Sequence, residues 1–282
     1  MPAAQGQASS CGPSGSPEAL HKPRNLSHNL FMSTKPRDAR GWRAKFAVLG
    51  PSTNTIVQPD MDDLRLPGVT AHYSRIFVTN MAVNDEAGFR KLTDTITAAV
   101  DDAVDSVMTC EPDYIVMGMS AITFYGGVAG AEAFRDRIAK RANIGISTGA
   151  ISTAEALRRF GVKKVAFLSP YFPSANAEVR RFYTESGFEV TADECFQCDS
   201  PVAIAQVPEA RCRETLHRLN ASNPDAIVQV GTNLSMQGLA AAAERVLGKP
   251  VIAINAATWW HALRAHGIQD HIHGQGRLLE EF

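Results

Sequence analysis

The chain has 282 residues, of which 45% are hydrophobic, so it can bury a large core. Its length suits one large domain or two domains of about 110 to 130 residues, and two are favoured. A formal net charge of −1 gives no general reason to expect nucleic acid or an anionic membrane as partner. No apolar stretch approaches the roughly 20 residues that span a bilayer, and the amino terminus lacks a secretory apolar block, so a cytoplasmic location is expected.

The order of elements along the chain predicts an α/β fold. Residues 1–41 are rich in Ala, Gly, Ser and Pro and predict a disordered extension. Short β-branched runs then predict strands at 46–49, 75–79, 114–117, 165–168, 226–230 and 251–254. Segments that favour helix separate them, at 85–109, 152–160, 175–186, 208–220 and 238–247. Such alternation is typical of parallel sheets that are covered by helices on both faces.

Two halves of the chain look alike. FAVLGPSTN from Phe46 corresponds to VAFLSPYFPSAN from Val165, and IVMGMS from Ile115 corresponds to IVQVGTN from Ile227, each offset by about 110 to 120 residues. We therefore predict two similar parallel-sheet, Rossmann-like units related by pseudo-twofold symmetry, with a ligand cleft between them. The first unit is expected to comprise residues 42–147 plus about 256–282, and the second residues 148–255.

Small polar residues follow four of the predicted strands. The residues expected to bind a ligand there are Pro51, Ser52, Asn54, Gly118, Ser120, Tyr171, Gly231, Thr232 and Asn233. Any one of these stretches could simply cap a helix, because Ser, Thr and Asn side chains satisfy the free N–H groups of a first turn. Their repetition at four strand ends favours a small carboxylate ligand, which neutral donors can bind without a counter-ion.

Other motifs carry less functional information. The glycine-rich segment 126–130 lacks the lysine of a phosphate loop, so no nucleotide is expected. Five cysteines, an odd number, are expected to be thiols, and the CxxC pair of Cys195 and Cys198 has no partners that complete a zinc site, so no metal is expected. The cluster of Trp259, Trp260 and His261, placed at the beginning of a helix, is expected to pack rather than to hold a cofactor.

Four segments in order resemble the aspartate/glutamate racemase superfamily, in particular its branch of maleate cis-trans isomerases and arylmalonate decarboxylases. PSTN at 51–54 resembles PSSNT of the isomerases, and MGMSAITFYGG from Met117 is similar to MGTSLSFYRG of the decarboxylases. SPY at 169–171 resembles a TPY that supplies a substrate-binding tyrosine. LGKPVI at 247–252 and GQGRLL at 274–279 are similar to the carboxyl-terminal pattern of the branch.

The resemblance implies one small carboxylate between two α/β units, no cofactor, and cysteines at two central strand ends. This chain departs from that pattern, because the alignment places Gly118 and Gly231 at the two cysteine positions. A glycine cannot add to an alkene, abstract an α-proton or return a proton to a carbanion.

Three functional interpretations follow. The first is a cofactor-independent isomerase or decarboxylase of a small dicarboxylate that uses Tyr171, Tyr125 or a bound water as proton carrier, with donors that stabilise an enediolate. In the second, Cys198 reaches the cleft from a loop. In the third, the protein binds a small carboxylate without chemistry, as a sensor or partner subunit. A homo-oligomer is compatible with each of them.

Overall fold

A computed structural model describes residues 38–282, so residues 1–37 of the predicted extension, with Cys11, lie outside the described residues. The first half contains β1 (Ala44–Pro51), α1 (Val57–Asp63), β2 (Val69–Ile76), α2 (Glu86–Met108), β3 (Tyr114–Met117), α3 (Gly127–Ala142), β4 (Ile146–Ser147) and α4 (Gly149–Arg159). The second contains β5 (Lys164–Ser169), α5 (Pro173–Glu185), β6 (Glu189–Cys195), α6 (Glu209–Asn220), β7 (Ala226–Gln229), α7 (Gln237–Leu247) and β8 (Val251–Ala253), followed by α8 (Ile254–Ala265) and α9 (Arg277–Glu281).

The strands form two four-stranded parallel sheets with the same topology. The first sheet has the order β2-β1-β3-β4 and the second the order β6-β5-β7-β8, so each strand has a counterpart in the other sheet. Helices separate successive strands, as parallel connections require. The predicted α/β class with two similar parallel-sheet units is therefore confirmed, while the predicted domain boundaries stay predictions.

One local device occurs at the same place in both sheets. The carboxylate of Asp113, just before β3, accepts a hydrogen bond from the N–H of Lys45 in β1 at 2.8 Å. Asp225, just before β7, accepts from the N–H groups of Lys163 and Lys164 at 2.8 Å each. Each aspartate thus fixes the start of a central strand against its neighbour, which supports the internal duplication of the fold.

The prediction of the second strand was wrong in its placement. The predicted strand 75–79 shares only residues 75 and 76 with β2. β2 pairs with β1 from Val69, opposite Ala44, to Ile76, opposite Pro51. Beyond that point the chain leaves the sheet, and Phe77 is 73% exposed. β2 is an edge strand, and its polar composition concealed it from a search for apolar runs. β4 and β6 were missed, since β4 has two residues and β6 is another polar edge strand.

Helix α8 returns the chain from the second sheet to the first. It begins at Ile254, earlier than predicted, so the cluster of Trp259, Trp260 and His261 lies in its middle. Trp259 is fully buried, packs edge-on against Phe46 of β1 with ring centroids 5.3 Å apart, and donates from Nε1 to the carbonyl of Leu64 at 3.0 Å. The prediction that this tryptophan packs in the core is confirmed.

Within residues 38–282, no helix is long and apolar enough to cross a membrane.

Candidate functional site

A cavity of about 60 Å³ lies where the carboxyl ends of the central strands of the two sheets meet. Seven of the nine residues predicted to bind a ligand line it: Pro51, Asn54, Ser120, Tyr171, Gly231, Thr232 and Asn233. The other lining residues are Thr53, Phe89, Leu92, Thr93, Ile96, Met119, Ala121, Pro170, Pro201 and Ile204. The cavity has room for several water molecules or a small organic molecule.

The remaining two predicted binding residues lie outside this lining. The Ser52 hydroxyl donates to the carbonyl of Val78 and accepts from its N–H, both at 2.9 Å, so it holds the segment after β2. Gly118 is packed against β1 and α1, and a Cβ atom there would lie 2.8 Å from Cγ2 of Val57. These two residues support the segments that line the cavity without lining it themselves.

Gly118 and Gly231 occupy different points at the ends of their strands. The N–H of Gly118 donates to β1 at 2.7 Å, and the N–H of Val230 makes the corresponding bond to β5 at 3.0 Å. The internal duplication therefore makes Val230 the counterpart of Gly118, and Met119 the counterpart of Gly231. Both Met119 and Gly231 line the cavity.

Hydrogen bonds between the two halves of the protein converge on Thr232. Its hydroxyl accepts from Nδ2 of Asn54 at 3.2 Å, and its N–H donates to Oγ of Ser120 at 3.3 Å. The other end of the Asn54 side chain, Oδ1, accepts from the N–H groups of Ile56 and Val57 at the start of α1, at 3.0 and 2.9 Å. Asn54 therefore serves both functions weighed from the sequence, since it caps a helix and lines the cavity.

Several backbone N–H groups around the cavity lack hydrogen-bond partners. Among the described residues that follow the strands, those that line the cavity and donate no backbone hydrogen bond are Thr53, Met119, Ser120, Ala121, Gly231 and Asn233. Protein chains pair nearly all of their buried N–H groups, because an unpaired one is costly. This concentration of free donors after β1, β3 and β7 suits an anionic ligand.

Tyr171 is held in a short chain of hydroxyl groups. Its hydroxyl donates to the carbonyl of Val230 at 2.6 Å and lies 2.5 Å from Oγ of Ser120. Burial raises the pKa of Tyr171 far above the usual tyrosine value, against the opposite effect of the Ser120 hydrogen bond. Its proton is thus committed to a backbone carbonyl, and the phenol suits binding and support better than proton donation.

The side chain of Asn233 connects three segments around the cavity. Its Oδ1 accepts from the N–H of Thr55 at 3.0 Å, and its Nδ2 donates to the carbonyl of Pro201 at 2.9 Å. Pro201 belongs to the segment between β6 and α6, which covers the cavity together with Ile204. The 231–233 segment ends well before α7 begins, so this asparagine does not cap that helix.

One wall of the cavity is apolar, and it was not predicted from the sequence. Helix α2 contributes Phe89, Leu92 and Ile96, which lie on one face of the helix at spacings of three and four residues. The ring of Phe89 packs 5.8 Å from that of Tyr171, so α2 of the first half contacts the second half. The signal was present as the apolar face of a predicted helix, but such a face normally packs on its own sheet.

The lining contains no ionised side chain. Among the residues around the cavity, Tyr171 is the only ionisable one, and no Lys, Arg, His, Asp or Glu lines it. The negative charge of a bound acid would therefore be balanced by N–H and hydroxyl dipoles alone. In the described part of the chain, no three His, Cys, Asp or Glu side chains are grouped as a metal site requires.

Cys198 lies outside the lining of the cavity. It is half-buried behind the strand end, where its N–H donates to the carbonyl of Pro170 at 3.1 Å. Burial raises the pKa of its thiol to about 11, against the smaller opposite effect of Arg211. A thiol with that pKa is almost entirely protonated at neutral pH and is a poor nucleophile. The structure therefore gives no support to the interpretation in which Cys198 reaches the cleft.

The glycine-rich segment 126–130 has its N–H groups occupied from within the chain. A carboxylate oxygen of Glu178 accepts from the N–H of Gly126, and one of Glu185 accepts from the N–H of Val128, both at 2.8 Å. A Cβ atom at Gly127 would collide with the Glu185 carboxylate. The carboxylates of Glu178 and Glu185 thus occupy the N-terminus of α3, where a phosphate would otherwise bind.

Comparisons with known proteins agree with this architecture. The family model described as "Arylmalonate decarboxylase" matches residues 78–279. A maleate isomerase of Geobacillus stearothermophilus is 27% identical over 135 residues, which are 47% of this chain and 53% of that protein, so the match spans about half of that relative's length. The arylmalonate decarboxylase of Bordetella bronchiseptica is 30% identical over 172 residues, which are 59% of this chain and 70% of that protein.

Solved structures show the same fold. The maleate cis-trans isomerase of Nocardia farcinica, solved as a mutant with a covalently bound succinylcysteine intermediate, superposes with a TM-score of 0.76 at 19% identity. The match covers 85% of this chain and 99% of that one. The family predicted from the four motifs is confirmed. The chain belongs to the arylmalonate decarboxylase and maleate isomerase family of the aspartate/glutamate racemase superfamily.

Proposed function

We propose that the protein is a cofactor-independent decarboxylase or isomerase of a small dicarboxylic acid, and that its substrate is a malonate with one apolar substituent. The observation that carries this proposal is the two-sided cavity. Unpaired N–H groups of the strand-end segments lie on one side, and an apolar face of α2 lies on the other. A substituted malonate has matching parts, namely a carboxylate for the donors and an apolar group for the helix.

The same two walls suit decarboxylation. One carboxylate accepts hydrogen bonds from the strand-end donors, and the other is placed where apolar side chains leave it poorly solvated. Breaking the bond between the α-carbon and this second carboxylate releases CO₂. The electron pair of the bond delocalises onto the retained carboxylate as an enediolate, which preorganised N–H dipoles stabilise. A proton that adds to the α-carbon then completes the substituted acetic acid.

The proton is expected to come from water. Tyr171 donates its proton to a carbonyl, and Cys198 lies outside the lining, so neither side chain is placed to protonate one face of the enediolate. Water can therefore deliver the proton to either face of the enediolate. The absence of a cysteine from the cavity lining also favours decarboxylation over an isomerisation that proceeds through a covalent cysteine adduct.

A non-catalytic carboxylate-binding protein is the second candidate. The observation in its favour is that no thiol and no ionised acid or base lines the cavity, so the lining offers binding groups without an efficient proton carrier. Such a protein would use the same donors to sense a small acid.

Phenylmalonate, methylmalonate and maleate, each incubated with chelator-treated protein in D₂O and followed by ¹H NMR, distinguish the candidates. We expect phenylmalonate to be converted into phenylacetate that carries one deuterium at the α-carbon, which would be identified by an α-proton signal that integrates to one proton instead of two. For methylmalonate, the smaller apolar group predicts slower turnover. Saturable binding without turnover supports the sensor, whereas no binding of any of the three acids contradicts both candidates.

A further inference from the structure

The buried side-chain amide of Asn255 contacts the 231–233 segment, which lines the cavity. Nδ2 of Asn255, the second residue of α8, donates to the carbonyl of Thr232 at 3.0 Å and to Oδ2 of Asp60 in α1 at 2.7 Å. Asn255 is 2% exposed, and in the described chain its Oδ1 is buried without a hydrogen-bond partner. One neutral side chain thus joins a carboxylate outside the cavity to a residue that lines it.

The orientation of this amide needs an explanation. An asparagine can exchange its Oδ1 and Nδ2 by a half-turn, and the hydrogen-bonding surroundings decide which orientation is stable. Here both N–H groups face acceptors, while Oδ1 remains unsatisfied, which is costly in a buried place. An ionised Asp60 accounts for this choice, because a carboxylate accepts only and forms a strong, charge-assisted bond with the amide.

We propose that Asp60 is a positioning residue for the cavity: its carboxylate holds the Asn255 amide in the orientation that keeps Thr232 and the 231–233 segment in place. Asp60 itself does not line the cavity and acts through Asn255. Thr232 donates one and accepts another of the bonds that join the two halves, so a fixed carbonyl at this residue fixes the donors beside it.

The surroundings of Asp60 make this support sensitive to pH. Burial raises the pKa of Asp60 to about 6; the Asn255 hydrogen bond opposes this effect, and Asp63 on the same helix adds to it. On β2, Tyr73 is neutral because its own pKa is raised by burial, and Arg75 donates to the carbonyl of Asn54. On α8, the ionisable side chains have other partners, since His261 lies against Ser147 and Arg264 donates to the carbonyls of residues 268, 270 and 282.

The sign of the effect follows from the donors and acceptors. Above about pH 6 Asp60 is ionised and accepts from Asn255. Below that pH the carboxyl group gains a proton that it can donate, and the unsatisfied Oδ1 of Asn255 becomes its natural acceptor after a half-turn of the amide. The carbonyl of Thr232 then faces an oxygen and loses its donor. The 231–233 segment is therefore held above pH 6 and released below it.

NMR of the labelled full chain, titrated from pH 4 to 8, tests the proposal without any ligand. The wild type is expected to show one step near pH 6 in the carboxyl carbon of Asp60, in the Asn255 side-chain amide and in the backbone amides of Thr232 and Asn233. Asp60→Asn is expected to abolish the step in the 231–233 segment. The matched control Asp63→Asn, three residues along the same helix, is expected to retain it.

Two results overturn the proposal: no step in the amides of residues 231–233 of the wild type, or a step that persists in Asp60→Asn. If a thermal melt shows that Asp60→Asn does not fold, the wild type alone tests the proposal: the steps of Asp60, the Asn255 amide and the amides of residues 231–233 must then occur at the same pH. The consequence for ligand rests on the proposed function, and phenylmalonate is the probe. Its affinity is expected to fall at least threefold more between pH 7.5 and 5 in the wild type than in Asp60→Asn. If the NMR step is present but phenylmalonate binds at no pH, the proposed function is wrong and the positioning by Asp60 stands.

Discussion

At the scale of single residues, Tyr171 has a counterpart that makes a sharp control. Tyr171 and Tyr183 are both buried, and each hydroxyl donates a hydrogen bond, to the carbonyl of Val230 and to Oγ1 of Thr153. Only Tyr171 lines the cavity. Either change to Phe leaves a buried acceptor without its donor and is expected to lower the free energy of unfolding by about 1 to 3 kcal/mol.

Tyr171→Phe is expected, in addition, to weaken phenylmalonate binding about tenfold or more, because the hydroxyl chain that holds Ser120 is broken. Calorimetric titration beside a denaturant melt separates the two effects. Equal losses of affinity in Tyr171→Phe and Tyr183→Phe would mean that Tyr171 contributes stability alone.

For the nine predicted ligand-binding residues, the sequence indicated the type of side chain better than its hydrogen-bond partners. Small polar side chains after a strand indicate a cluster of donors, and seven of the nine predicted residues do line one cavity. Ser52 has the same chemistry as Ser120, yet its hydroxyl is used by Val78, a residue that is distant in sequence and pairs with it only after the sheet has formed. Which hydroxyl remains available is a tertiary property, so the local sequence does not determine it.

At the scale of elements, α2 is expected to set the size of the apolar substituent. Leu92 lines the cavity, whereas Val100 lies two turns further along the helix, fully buried and outside the lining. Leu92→Ala enlarges the cavity on its apolar side and is expected to lower the free energy of unfolding by about 2 to 5 kcal/mol. It should also raise turnover of malonates with a naphthyl group relative to phenyl by about tenfold.

Val100→Ala is the matched control, because it removes buried methyl groups from the same helix without changing the cavity. It is expected to lower stability but to leave the ratio of naphthyl to phenyl turnover unchanged. Competition assays with both malonates in one tube measure that ratio directly. A shift of equal size in the two variants would exclude α2 as a specificity element.

Elements with apolar runs were predictable from the sequence, and polar edge elements were not. β1, β3, β5 and β7 are central and nearly fully buried, so their composition shows them directly. β2 and β6 pair on one side only, and their exposed or half-buried positions carry residues such as His72, Arg75 and Glu194. The repeated Asp113 and Asp225, each after a proline and before an apolar run, were a missed signal of the duplication.

At the scale of the whole molecule, the two sheets are expected to unfold together. α8 follows β8 of the second sheet but packs against the first through Trp259, and α2 of the first half contacts Tyr171 and Phe172 of the second. Shared elements of this kind couple the free energies of two sheets into one transition.

Tryptophan fluorescence reports on Trp42, just before β1, and on Trp259 and Trp260 in α8, so it should change at the same urea concentration as far-ultraviolet circular dichroism. The two curves are expected to share one midpoint within error. Asn233→Ala, which removes the bonds to Thr55 and Pro201, should move both midpoints together. Two separate transitions would show that the halves are independent domains.

The crowding around Gly118 and Gly231 bears on which substitutions this chain can accept. A Cβ atom at Gly118 would lie 2.8 Å from Cγ2 of Val57, and one at Gly231 would collide with the ring of Pro170. A cysteine introduced at either position by a single substitution thus meets a steric conflict before any thiol chemistry can begin. A smaller residue at Val57 or Pro170 would have to come first. The effect of a cysteine at either glycine thus depends on a prior change at the neighbouring residue, which is epistasis between side chains in contact.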